Sequence, residues 1–176
     1  SSLTPSTPLP HLGTIFPAKE LVILACSGAE SDDIFKPSIR STISQIQEMN
    51  SYGTVPGAAV LTFGGNDIHF VDVVKACISP FSSCGDPLYR NLKIRDAGGI
   101  GVKLEDTYKR AWSALNTPDM RQKRGGDYVP LIVLPYPLVT HEMFRGGCHQ
   151  FDPAEVVTAD QVGKTLNDTI RRAVDT

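Results

Sequence analysis

The sequence predicts an α/β fold: a three-layer α/β/α sandwich around a parallel sheet. Two observations predict it. Three short apolar runs, at Leu21–Ala25, Ala58–Phe63 and Leu131–Leu134, are bounded by polar or turn residues, as strands buried on both faces are. Helical apolar stripes of period 3.6 fall between and after these runs, and strands alternating with helices make βαβ units. Three strands are few for such a sheet, so the sheet is expected to be incomplete. The chain has 176 residues, enough for one ordinary domain.

In chain order, residues 1–20 read as a Ser/Thr/Pro-rich lead-in, with five such residues in the first six. A domain over 21–176 follows. Its first strand is Leu21-Val22-Ile23-Leu24-Ala25, between Lys19-Glu20 and Ser27-Gly28. After Pro37-Ser38, the spacing of Ile39, Ile43, Ile46 and Met49 predicts a helix with one apolar stripe. Ala58-Ala59-Val60-Leu61-Thr62-Phe63 is the second strand, ended by Gly64-Gly65. Asp67 is expected to cap a helix carrying Val71 and Val74. Ile100, Leu104, Tyr108, Ala111, Trp112 and Leu115 form the clearest helical stripe, stopped at Asn116-Thr117-Pro118. Leu131-Ile132-Val133-Leu134 is the third strand, and Pro135-Tyr136-Pro137 ends it. Val162, Leu166, Ile170 and Val174 predict a closing helix.

Composition narrows the function classes. Apolar residues are 41% and charged residues 20%, as in ordinary globular proteins. No apolar run approaches the ~20 residues that cross a bilayer. The 17 basic and 19 acidic residues are interspersed and sum to a formal charge of -2. A nucleic-acid binder should instead carry a basic face or stripe. The start has neither the basic region nor the apolar stretch of a signal peptide. The four cysteines, Cys26, Cys77, Cys84 and Cys148, form no CxxC. Cys77 and Cys84 flank a short segment and suit a small disulfide loop, against two free thiols in a cytosolic protein. With the Asn167-Asp168-Thr169 sequon, that favours an oxidising, exported setting.

Sites in open parallel sheets lie outside the carboxyl ends of the strands. Three stretches fall there: Cys26-Ser27-Gly28-Ala29, Gly64-Gly65-Asn66-Asp67, and Pro135 to His149. Two glycines allow a sharp turn, and Asn66 then offers a side-chain amide to a developing oxyanion. The plainer reading is a glycine-rich turn in which Asn66 and Asp67 cap the next helix. Gly28 offers a second donor, its backbone N–H. Ser27 lacks the G-x-S-x-G elbow and reads as a turn serine. His69, just past the Gly-Gly turn, is expected to face solvent. His141, Glu142, Cys148 and His149 carry metal-binding side chains, but their spacing matches no familiar zinc pattern. Gly98-Gly99-x-Gly101 follows no strand, so it is no dinucleotide fingerprint. No cofactor is expected.

The run Leu24-Ala25-Cys26-Ser27-Gly28-Ala29, followed by Asp32-Asp33, resembles the second motif block of SGNH (GDSL-type) serine esterases and lipases. Thr62-Phe63-Gly64-Gly65-Asn66-Asp67-Ile68-x-Phe70 resembles their third block, in its secreted actinobacterial and fungal form. Val133-Leu134-Pro135-Tyr136-Pro137, the Cys148 region and the closing helix with Leu166-Asn167 extend the likeness from about residue 21 to the end. The resemblance implies a flavodoxin-like sheet, secretion, and hydrolysis of a carboxylic ester such as a lipid or an acylated sugar. It places Gly28 and Asn66 in the oxyanion hole. It also places Cys77 and Cys84 where that subgroup often carries a small disulfide. The residues resembling Cys26 and Cys148 bond, in that subgroup, to cysteines in terminal parts absent here; in this chain they could also pair with each other.

The sequence departs from the family's pattern in one respect. It contains no Gly-Asp-Ser, and no Asp is followed three residues later by His. The nucleophile and its base are therefore missing, and the chain looks like the middle of such an enzyme. The expectation is a serine esterase or lipase in which this chain supplies the oxyanion hole, while companion segments carry the nucleophilic Ser and the Asp/His pair. The alternative is a non-catalytic SGNH-like module that binds a ligand or carbohydrate in the same crevice. A metal-dependent hydrolase using His141, Cys148 and His149 is a third reading.

Overall fold

The structure is a computed structural model, and it describes residues 21–37, 42–78, 84–138 and 153–176. The lead-in, Ile39, and the group His141, Glu142, Cys148 and His149 lie outside the described residues.

The chain is a mixed α/β protein, mostly helical, with a two-stranded parallel sheet. A 3-10 turn at Ser31–Ile34 is followed by α1 (Gln45–Ser51), β1 (Ala59–Leu61), α2 (Phe70–Ile78), α3 (Pro87–Gly99), α4 (Gly101–Leu115), α5 (Pro118–Lys123), β2 (Leu131–Val133) and α6 (Pro153–Val174). Ala59 lies opposite Leu131, Val60 opposite Ile132 and Leu61 opposite Val133. Both strands fall inside the expected runs. Parallel pairing requires a crossover, and α2 to α5 supply it.

The first expected strand is not formed. Leu21–Ala25 has no regular secondary structure, and Leu21, Val22 and Ile23 are exposed. The physical reason is pairing: β1 spends one edge on β2, and the apolar run finds no ladder among the described residues. The sandwich expected from the sequence is thus reduced to helices around two strands.

Two helices escaped the periodicity. α3 buries only Ala97, so its sequence carries little apolar stripe. Its signal lies at its start, where Asp86 accepts a hydrogen bond from Leu88 N–H at 2.8 Å and Pro87 occupies the first turn. α5 is short and begins at Pro118, the residue that ends α4, with Thr117 as its cap. In α2 the buried positions are Val73 and Cys77, and Val71 is exposed, so the expected face is rotated by two residues.

The core lies where α3 and α4 pack on α6. Leu104, Tyr108 and Ala111 of α4 meet Val162, Leu166 and Ile170 of α6, with Phe63 after β1 and Ile34 of the 3-10 turn. Trp112 leaves this stripe: it is exposed and stacks on Tyr128, ring centroids 5.4 Å apart. Asn116 fixes the approach to β2. Its Oδ1 accepts from Val129 N–H at 2.6 Å and its Nδ2 donates to Val129 O at 3.1 Å.

Cys77 and Cys84 form a disulfide, seven residues apart, as their spacing suggests. Both are fully buried beside Val73. The bond ties the end of α2 to the approach to α3, and Thr158 of α6 donates to Cys84 O at 2.9 Å. Replacing both cysteines by alanine should lower the unfolding free energy by about 2 kcal/mol through the freed short loop. Urea unfolding with and without reductant checks this: wild-type midpoints that coincide in both conditions would refute it.

Candidate functional site

The site is the corner where the chain leaves β1 and where the stretch after Leu21–Ala25 turns. Ala29 N–H donates to Cys26 O at 3.1 Å and closes that turn. Gly28 sits in it at φ +83°. A Cβ there would meet nothing within 4 Å, so glycine is needed for its conformation and not for space. Ser27 is exposed in the same turn.

After β1, three backbone bonds wind the chain into α2. Ile68 N–H donates to Gly64 O, His69 N–H to Asn66 O and Phe70 N–H to Gly65 O, the last at 2.8 Å. Gly65 is required by close approach, since a Cβ would lie 2.6 Å from the Tyr136 ring. Tyr136 comes from the far end of β2. Asn167 of α6 holds it by both ends of its peptide: Tyr136 N–H donates to Asn167 Oδ1 at 2.8 Å, and Asn167 Nδ2 donates to Tyr136 O at 2.9 Å. Burial raises the Tyr136 phenol above the usual tyrosine value; a Gly65 backbone hydrogen bond opposes it, and the Asp67 charge adds to it.

Asn66 joins the two turns. Its Nδ2 donates to Ala29 O at 2.8 Å, one residue past Gly28. The two residues read from the sequence as oxyanion donors are therefore brought to one corner. One amide hydrogen of Asn66 is used internally and one is left over.

Asp67 does not cap α2. Its side chain is 1% exposed and accepts from Lys103 Nζ at 2.6 Å. It also accepts from Ser31 Oγ at 2.6 Å and from Ser31 N–H at 3.1 Å. A buried carboxylate needs a cation and donors around it, and a solvent-facing helix start offers no cation. Lys103 reaches it from the first turn of α4 and lies 3.8 Å from Glu30. The hydrogen bond to Asp67 holds the Lys103 ammonium above the usual lysine value, against a smaller desolvation effect.

His69 is exposed, as expected, and adopts φ 52°, left-handed for a non-glycine residue. Among the described residues no group of three His, Cys, Asp or Glu could hold a metal. A solvent-open cavity of about 360 Å³ lies between the end of β2 and α6, lined by Val133, Pro135, Asn167, Ile170 and Arg171. Neither Gly28 nor Asn66 lines it, so the polar corner and the largest hollow are different places.

Ser31, Lys103 and Tyr136 were not recognised as site residues from sequence. Lys103 carried a faint signal: it sits between Ile100 and Leu104, at the margin of the buried stripe. Ser31 carried none. The chain matches no protein-family model, no curated protein and no solved structure.

Replacing Lys103 by methionine leaves a buried carboxylate without its cation. The expected loss is about 3 kcal/mol of stability. Adding Asp67→Asn should recover part of it, which thermal or urea unfolding of the double variant reads out. Because the Lys103 value is raised, its contribution is complete below pH 10.5 and disappears as pH climbs through the raised value. The Lys103→Met variant should therefore lack that alkaline loss.

Proposed function

We propose that this chain is the oxyanion-stabilising part of an SGNH-type serine hydrolase acting on carboxylic esters. The observation that carries the proposal is the Asn66–Ala29 hydrogen bond, which brings the amide of the Gly-Gly-Asn-Asp turn beside Gly28. In this reading the remaining Asn66 N–H and the Gly28 N–H receive the negative oxygen of the tetrahedral intermediate. Donors fixed before the reaction stabilise that charge without reorganising during it. The nucleophilic serine and the Asp/His pair come from companion segments, because the sequence contains neither block. The finer architecture belongs to the same proposal: β1 and β2 are neighbouring central strands of a flavodoxin-like sheet. In the strand order 2-1-3-4-5 the Leu21–Ala25 run would be separated from β1 by the strand that carries the serine. That separation accounts for its lack of a partner here.

Export is part of the proposal and rests on the Cys77–Cys84 disulfide. The sequon adds nothing to it. Asn167 lies within α6 with its amide engaged by Tyr136, and Thr169 is 1% exposed. No helix among the described residues is long and apolar enough to cross a membrane.

Labelling with a fluorophosphonate, read by non-reducing intact mass and peptide mapping, tests the reading. Label on the serine of a co-purifying or disulfide-linked peptide is expected. In that assembly Asn66→Ala should lower kcat by roughly a hundredfold or more and change KM little. Label on Ser27 would overturn the division of roles. Saturable binding of an ester or sugar without label or turnover would favour the binding module instead.

A further inference from the structure

We propose that the free edge of β1 receives an extended apolar strand of a companion polypeptide, parallel to β1 and between it and Leu21–Ala25, with the Tyr108 hydroxyl bonded to its backbone. The proposal deepens the reading above by placing the companion segment. A strand can dock here without any serine, so strand binding and serine labelling fail separately.

Three observations meet at this place. The first is the ladder. Ala59 N–H donates to Pro130 O at 3.0 Å and Leu134 N–H donates to Leu61 O at 2.9 Å, so Ala59 and Leu61 turn their backbone groups to β2. In a parallel ladder the residue between them faces the other way, and Val60 therefore offers its N–H and C=O to the opposite edge. No strand covers that edge among the described residues. The second is the apolar run without a partner: Leu21 is 56%, Ile23 75% and Val60 55% exposed. The third is buried. Tyr108 is 5% exposed, and its hydroxyl has no hydrogen-bond partner among the described residues. It shares a cluster with Phe63, which follows β1, and Ile34, which follows the Leu21–Ala25 run. A buried hydroxyl without a partner is a standing cost.

Direction and chemistry of the occupant follow from the corner. β1 and the Leu21–Ala25 run both lead into it, where Asn66 binds Ala29, so they point the same way. A strand between them completes a parallel sheet, and such strands are continuous apolar runs because both faces are covered. A second copy pairing across a two-fold axis would run antiparallel, against that direction.

The test uses the purified chain and a soluble peptide carrying a Val-Ile-Val-Ile-Val run between lysine pairs, with an N-methylated version as control. Amide exchange is read residue by residue. In the free chain the Val60 amide should exchange at least tenfold faster than those of Ala59 and Leu61. The peptide should protect it, and the N-methylated control should not. Tyr108→Phe should leave the free chain as stable as the parent or more so, yet weaken peptide binding about fivefold. Val60→Pro, which removes only the outward N–H, should abolish protection of its neighbours by the peptide. A Val60 amide already slow in the free monomer would mean that the chain covers its own edge, and would overturn the proposal. Slow exchange that appears only with a dimeric mass would put a second copy there and overturn it as well. An unprotected amide at saturating peptide, or unchanged binding by Tyr108→Phe, would do the same.

Discussion

The corner depends on one buried carboxylate. Asp67 is charged, almost wholly shielded from water, and holds three donors from two other parts of the chain: the backbone and hydroxyl of Ser31 and the ammonium of Lys103. Desolvating a carboxylate costs several kcal/mol unless such partners repay it. The arrangement is therefore geometrically demanding. If the 3-10 turn moved, Asp67 would lose two donors; if α4 slid by one residue, it would lose its cation. A carboxylate with these needs fixes the relative positions of the two turns more sharply than apolar contacts, which tolerate sliding.

Three asparagines repeat the logic with neutral groups. Asn66 grips Ala29 O, Asn116 grips both polar groups of Val129, and Asn167 grips both polar groups of Tyr136. The last two flank β2, one before it and one after. A strand of three residues has little ladder of its own, and side-chain amides satisfy the backbone groups at its ends. α6 contributes twice, since Leu166 fills the core while the adjacent Asn167 holds the strand end. This explains how so small a sheet keeps its place among helices.

What the sequence made legible follows from this division of labour. β1, β2, α4 and α6 were readable because their apolar residues recur at the period of the element, and Leu104, Leu166 and Ile170 are buried where the stripes put them. α3 was not, because its buried surface is one alanine and its start is marked only by Asp86-Pro87. Leu21–Ala25 has the composition of a strand, but composition cannot supply a neighbour. At the corner, Gly28 and Asn66 were readable from turn chemistry. The partners that hold them were not: Ser31 and Lys103 are single polar residues whose role appears only when segments far apart in sequence meet. Asp67 was assigned the local role, a helix cap, and it has the long-range one.

Order and incompleteness sit side by side here, and that contrast bears on function. The Gly28–Asn66 corner is held by a charge, two glycine conformations and an amide bridge, whereas a few residues upstream the Leu21–Ala25 run and the outer edge of β1 are open. An isolated domain would be expected to protect its edges before elaborating a polar corner. In the proposed hydrolase the same contrast has a direct meaning. Oxyanion donors act through their fixed position, so they must be rigid whether or not the nucleophile is present, and a serine delivered on an added strand would arrive against a site that needs no rearrangement. The costly element of the chain, the buried Asp67–Lys103 pair, is placed where that rigidity would be used.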